Sequence, residues 1–155
     1  MHKNIKPIIL FTSIVFLAAA CNRQPAASKA IYLSANASIG GHKLAVQIAQ
    51  SPDAQSQGLS GRDLLGTDDA MYFKFSQTGK YGFWMKDMKF PLDFIWVRDS
   101  KVVEITPKVE PEPGVPEASL HIYPPQELVD GIFEVNAGWV AQNQIKVGDA
   151  VELTP

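Results

Sequence analysis

The residues best suited to chemistry gather between Phe83 and Asp93, where Lys86, Asp87, Lys89 and Asp93 follow two bulky aromatics, Phe83 and Trp84. If Tyr81 to Lys86 is an extended strand, its side chains alternate: Tyr81, Phe83 and Met85 share one face, and Gly82, Trp84 and Lys86 the other. Arg62, just after the Gly58-Leu59-Ser60-Gly61 turn, is the second cation of interest. Arg62, Lys86 and Asp93 beside Trp84 would bind a small anion or a glycan fragment. The cations hold an anion, the acid accepts hydroxyl hydrogen bonds and the ring stacks. A competing reading makes Arg62 and Asp93 a structural ion pair, leaves Lys86 solvated, and assigns Trp84 and Trp139 to core or rim packing.

Two further classes of chemistry have candidates. Paired carboxylates across a cleft hydrolyse glycosides, one protonating the leaving group and the other acting as base or nucleophile. Asp93 and Glu134 are the acids set in apolar strand context and form the best such pair, although no spacing signature joins them. A nucleophilic triad has less behind it, since neither His42 nor His121 sits near a Gly-x-Ser-x-Gly elbow. Met71, Met85 and Met88, with His42 or His121, are of the soft and imidazole types that hold Cu(I). Methionines alternating with aromatics are equally ordinary core filler. Zinc spacing is absent, so no cofactor and no resident metal are expected. A purely structural scaffold is the remaining class.

Cys21 carries a different chemistry. Lys3 and Lys6 precede an apolar run from Ile8 to Ala20, which ends in small residues. A basic start, a short apolar middle and a small-residue cut site make a secretion signal. The run is shorter than the roughly 20 residues of a membrane-spanning helix. Leu17-Ala18-Ala19-Ala20-Cys21 resembles the lipobox of bacterial lipoproteins, departing from it at Ala18, where Leu is preferred. Cys21 is the chain's one cysteine. An exported protein with a lone thiol needs a use for it, and lipidation supplies one. The resemblance implies a membrane partner through acyl chains, which anchor durably when several are present. Asn22, in place of the Asp that retains lipoproteins on the inner membrane, implies the periplasmic face of the outer membrane.

The chain holds 14 Lys plus Arg and 16 Asp plus Glu; loss of Lys3 and Lys6 leaves 12 against 16, a net charge of −4. Nothing basic is clustered, which argues against a nucleic-acid partner. Three segments follow: residues 1–20 as a removed signal, 21–30 as the lipidated cysteine and a flexible tether, and 31–155 as one domain. Pro25, Ala26, Ala27 and Ser28 give the tether its small, aperiodic character.

Period-two patterning dominates the domain. Leu44, Val46 and Ile48 alternate after the Gly40-Gly41 hairpin signal, and Met71, Phe73 and Phe75 alternate with Tyr72 and Lys74. Tyr81 to Lys86, Leu92 to Arg98, Lys101 to Val109, Leu128 to Val135 and Ala150 to Leu153 read as further strands. Ser51-Pro52-Asp53 starts a short helix that stops at Gly58. Asn136 is expected to cap a second, through Trp139 and Ala141. Five prolines between Glu110 and Gln126 require a long surface loop. The expected fold is a mainly β domain, a single compact barrel or sandwich of about 7–8 strands with two short helices.

Six blocks resemble, in order, the domain-of-unknown-function family 192 of bacteria and archaea. They are Gln57 to Arg62, Met71 to Phe75, Tyr81 to Met88, Pro91 to Asp93, Glu134 to Trp139 and Ile145 to Asp149. Together they span nearly the whole domain. The resemblance implies a compact, mainly β fold and no particular reaction. Asp87-Met88 replaces the family's usual Asn-Thr, and Asn136 its usual Pro, so any amide-dependent contact does not transfer to Asp87.

Overall fold

The computed structural model describes residues 30–154. Its first two strands, β1 (Leu33–Ile39) and β2 (His42–Ala49), pair antiparallel through Gly40-Gly41. Both glycines take positive φ, as a two-residue turn matched to strand twist demands. Helix α1 (Pro52–Gln57) follows, with the Ser51 hydroxyl accepting from the Ala54 N–H and proline in the first turn. It ends at Gly58, whose φ of 49° turns the chain back over the sheet. Strands β3 (Asp69–Gly79), β4 (Leu92–Arg98) and β5 (Lys101–Val109) come next, the last two joined at Asp99-Ser100. Then come β6 (Val129–Asn136), the one-turn helix α2 (Trp139–Gln142) and β7 (Val151–Thr154).

The strands form one sheet in the order β5-β4-β6-β3-β2-β1-β7. Among the described residues only β2 and β3 run parallel, the connection that α1 and the Gly58–Asp68 loop provide. The sheet curls until its two edges touch at one end. Lys101 bridges Ala150, the Val102 N–H donates to the Asp149 carbonyl at 3.0 Å, and the Gly148 N–H donates to that of Val102 at 2.8 Å. The architecture is therefore a seven-stranded half-barrel with two short helices, as the period-two pattern implied.

Curling separates two cores. Inside lie Ile39, Leu44, Val46, Ile95, Val97, Val102, Phe133, Val135 and Val151, closed by Trp139, Val140 and Ile145. Outside, Met71, Phe73, Phe94, Trp96 and Ile132 are covered by Ala54, Leu59, Met85 and Met88 from the connecting segments. Strands β4 and β6 are thus apolar on both faces, which is why they read as near-continuous hydrophobic runs.

Two local expectations are corrected. Tyr81 to Lys86 is not a ladder strand; Phe83 alone bridges, to Tyr123 of the long loop. The segment crosses the outer face of the sheet, where Phe83 packs on Phe73, Phe94 and Trp96. Period-two burial survives because alternate side chains point into the core without a partner strand. Asn136 does not cap α2 either. Its amide donates to the carbonyls of Leu65 (3.1 Å) and Gly66 (2.8 Å), while the helix cap comes from Asp93 in β4.

Candidate functional site

The outer face holds a cavity of about 260 Å³. Gly58, Leu59 and Ser60 form one wall, Phe73 and Phe75 of β3 the floor, Tyr81 to Trp84 with Met88 the opposite wall, and Glu134 of β6 the inner end. Each element reaches it for a local reason. The α1 stop at Gly58 turns the chain across β3, where any Cβ would press on the Phe73 ring at 3.2 Å. Alternation along β3 sends Phe73 and Phe75 to the same side. Tyr81 stacks on Phe75 with ring centroids 3.7 Å apart, and Phe83 meets Phe73 edge-on at 4.9 Å. Trp84 stands at the rim, 39% exposed.

Glu134 is the unusual group. It is 5% exposed, and burial pushes its carboxyl up to about 8, against the opposing pull of the Arg62 charge. Among the described residues no side-chain hydrogen bond engages it; its polar end meets the cavity instead. At neutral pH it is therefore mostly a neutral acid, able to donate one hydrogen bond and accept another.

Arg62 lies beside this cavity. Its Nη2 donates to Gln47 Oε1 at 2.7 Å, and the guanidinium sits 5.5 Å above the Tyr32 ring centre. The Tyr32 hydroxyl donates to the Gly58 carbonyl at 3.1 Å. Burial raises the Tyr32 phenol while Arg62 lowers it. A second, larger cavity of about 350 Å³ lies on the far side of Arg62.

The expected cluster of Arg62, Lys86 and Asp93 around Trp84 is not assembled. Lys86 Nζ does lie 5.8 Å from the Trp84 ring centre, but it is paired to Glu117 of the long loop at 2.7 Å. Asp93 is completely buried elsewhere and accepts from the N–H groups of Lys108 (2.9 Å), Gly138 (2.9 Å) and Val140 (3.0 Å). It also does not pair with Arg62. The register separates Asp93 from Glu134: Asp93 lies opposite Val135 and Phe94 opposite Glu134. Residues directly opposite project to the same face. The two acids consequently point to opposite faces, and no single cleft receives both.

Met71, Met85 and Met88 belong to the outer core, whereas His42 meets Trp139 of the inner core edge-on at 6.5 Å. His121 rests against Tyr123 at 4.3 Å. Among the described residues no three His, Cys, Asp or Glu side chains converge as a metal site. Cys21 and the export signal fall outside the described residues. Tyr32, Gln47, Ser60, Phe73 and Phe75 were not singled out from sequence. Ser60, Phe73 and Phe75 fall in the blocks of the resemblance that begin at Gln57 and Met71, which was the signal available for them, whereas Tyr32 and Gln47 fall in no block.

The DUF192 family profile, described as "Uncharacterized ACR, COG1430", matches residues 35–153. The chain belongs to that family. Two solved structures resemble this DUF192 domain. One is described as a putative transcription regulator from Sinorhizobium meliloti 1021: TM-score 0.72, 27% identity, covering 81% of this chain and 98% of the other. The second is a protein of unknown function from Novosphingobium aromaticivorans DSM 12444: TM-score 0.66, 26% identity, covering 78% and 84%. No curated protein matches in sequence. The likeness to these two structures shows a shared fold, without assigning a reaction.

Proposed function

We propose that this domain is a binding module of the cell envelope, lipid-anchored through Cys21, and that its outer-face cavity takes a sugar ring from a glycan fragment. The observation that carries this reading is Glu134, a buried and largely neutral carboxyl with no side-chain hydrogen bond among the described residues, at the end of an aromatic cavity. A pyranose has an apolar C–H face and a hydroxyl edge. Phe75, Tyr81 and Trp84 suit the face, and a neutral acid suits the edge by donating to one oxygen and accepting from another. The cavity volume is near the lower end of the range typical of small-ligand sites, which suits one ring.

A small anion fits less well. Lys86 is already neutralised by Glu117, Arg62 is directed to Gln47, and any ionised fraction of Glu134 would repel an anion. The regulator description of the Sinorhizobium structure suggests nucleic acid, but a net charge of −4 after export, with no basic cluster, disfavours phosphate contacts.

Calorimetric titration of the full chain with N-acetylglucosamine tests the reading. Saturable 1:1 binding that is lost in Glu134→Ala and weakened in Trp84→Ala, with both variants folded, is the expected result. Binding that is indifferent to both substitutions, or no binding of any envelope sugar, would reject it.

A further inference from the structure

The second cavity is built of different chemistry and shares no lining residue with the aromatic one. Strand alternation sets its outline. Ser34 lies opposite Gln47, and two residues along the same strands Asn36 lies opposite Ala45, itself opposite Asp69, so all five project from one face of β1, β2 and β3. Ala45 offers only a methyl group, which leaves open space between polar walls. The Gly58–Asp68 loop contributes Arg62 and Leu65 and rejoins the sheet at Asp69.

Two opposite charges line this one cavity without meeting. Among the described residues neither Arg62 nor Asp69 has a salt-bridge partner, in the other or elsewhere. Glu134, the acid whose titration Arg62 influences, is mostly neutral at pH 7 and supplies no counter-charge. The guanidinium is nevertheless fixed in place, by Gln47 at 2.7 Å and by the Tyr32 ring beneath it. It carries five N–H donors, of which the bond to Gln47 takes one. Gln47 and Asp69 stand on adjacent strands, two residues out of register, so the anchor points of the two charges are about 8 Å apart. That gap admits a molecule carrying both complementary charges, with a heavy-atom contact of about 2.8 Å at each end. Ser34, Asn36 and Gln47 between them are uncharged donors and acceptors, and they repel neither end.

We infer that the second cavity is a separate site for a small zwitterion, an α-amino acid whose carboxylate is held by Arg62 and whose ammonium is held by Asp69. Each charge of the lining then selects against half of the ligand. A simple anion meets the Asp69 carboxylate with nothing to offset it, and a simple cation meets Arg62 in the same way. A small side chain fits beside Leu65 and Ala45. Because the two cavities share no lining, this site stands or falls independently of the sugar reading.

The test is an NMR titration of the full chain with racemic alanine, which presents both hands, and with propionate and ethylamine, which lack its ammonium and its carboxylate. Saturable shifts at Ser34, Asn36, Gln47 and Asp69 are expected with alanine. Loss of one charge-assisted contact predicts that propionate and ethylamine each bind at least about tenfold more weakly. Asp69→Asn should bring alanine down to the affinity of propionate without weakening propionate itself, and Arg62→Gln should bring it down to that of ethylamine. Asp69 is exposed, so its substitution leaves both cores intact, and the comparison of two ligands on one variant separates recognition from any general loss of structure. Absence of saturable shifts with alanine overturns the inference. So does propionate binding as tightly as alanine, which would leave an anion site only, or an alanine affinity that Asp69→Asn does not change.

Discussion

Replacing Glu134 by Gln isolates the group on which the site depends. In the folded chain burial pushes the carboxyl up to about 8 from its ordinary 4.5. Between those values the native state keeps a proton that the unfolded chain has released. Stability from this group is thus complete below about pH 4.5 and is lost progressively as pH rises towards 8. Each pH unit within the window removes about 1.4 kcal/mol. From pH 6 to pH 9 the loss is about 3 kcal/mol, since the slope vanishes once the folded carboxyl has ionised. For a domain of this size that corresponds to a fall in Tm of roughly 10 °C. Glutamine keeps the shape and hydrogen-bonding capacity of the neutral acid but has no proton to lose. Urea unfolding of both chains at pH 6, 7, 8 and 9 therefore yields a difference curve from which every other titrating group cancels. The variant should gain about 3 kcal/mol on the parent across the series. Parallel stability profiles would refute the reasoning, because they would mean that Glu134 is already ionised at pH 6 and is solvated or paired in solution.

Other outcomes follow from single contacts. Asp93→Ala removes the acceptor of three backbone N–H groups, one buried and two partly buried, so chemical denaturation should show a loss of about 3 kcal/mol. Asp93→Asn, which retains one acceptor oxygen, should lose less. Gly131→Ala would place a Cβ 2.5 Å from the Tyr72 ring; overpacking of that kind costs about 1–3 kcal/mol, visible as a lower Tm with an unchanged sugar affinity. Trp84→Ala at the rim should weaken sugar binding about tenfold while hardly moving Tm, because the ring is partly exposed already. Cys21→Ala should shift the protein from the membrane to the soluble envelope fraction and abolish incorporation of a labelled fatty acid. An unaltered membrane fraction would refute lipid anchoring.

Much of the fold was legible in the chain because strands and turns obey local rules. Gly40-Gly41, Asp99-Ser100 and Ser51-Pro52 set their turns and cap through backbone preferences that act within a few residues. Alternation along Leu44 to Ile48 and Met71 to Phe75 marked faces correctly. The same rule misled at Tyr81 to Lys86, since period-two burial arises whenever an extended segment lies on a core, with or without a ladder. The roles of the acids were illegible. Asp93 and Glu134 share an apolar strand context in sequence, yet one satisfies three backbone donors inside the curl and the other ends in an aromatic cavity outside it. What separates them is the pairing register of β4 with β6, together with the chain that later covers each face. Sequence alone determined most of the strands, the two short helices and the family blocks. Only tertiary structure decided which block faces which, because side-chain partners from distant strands, rather than neighbours along the chain, set the environment of every charged group in the site.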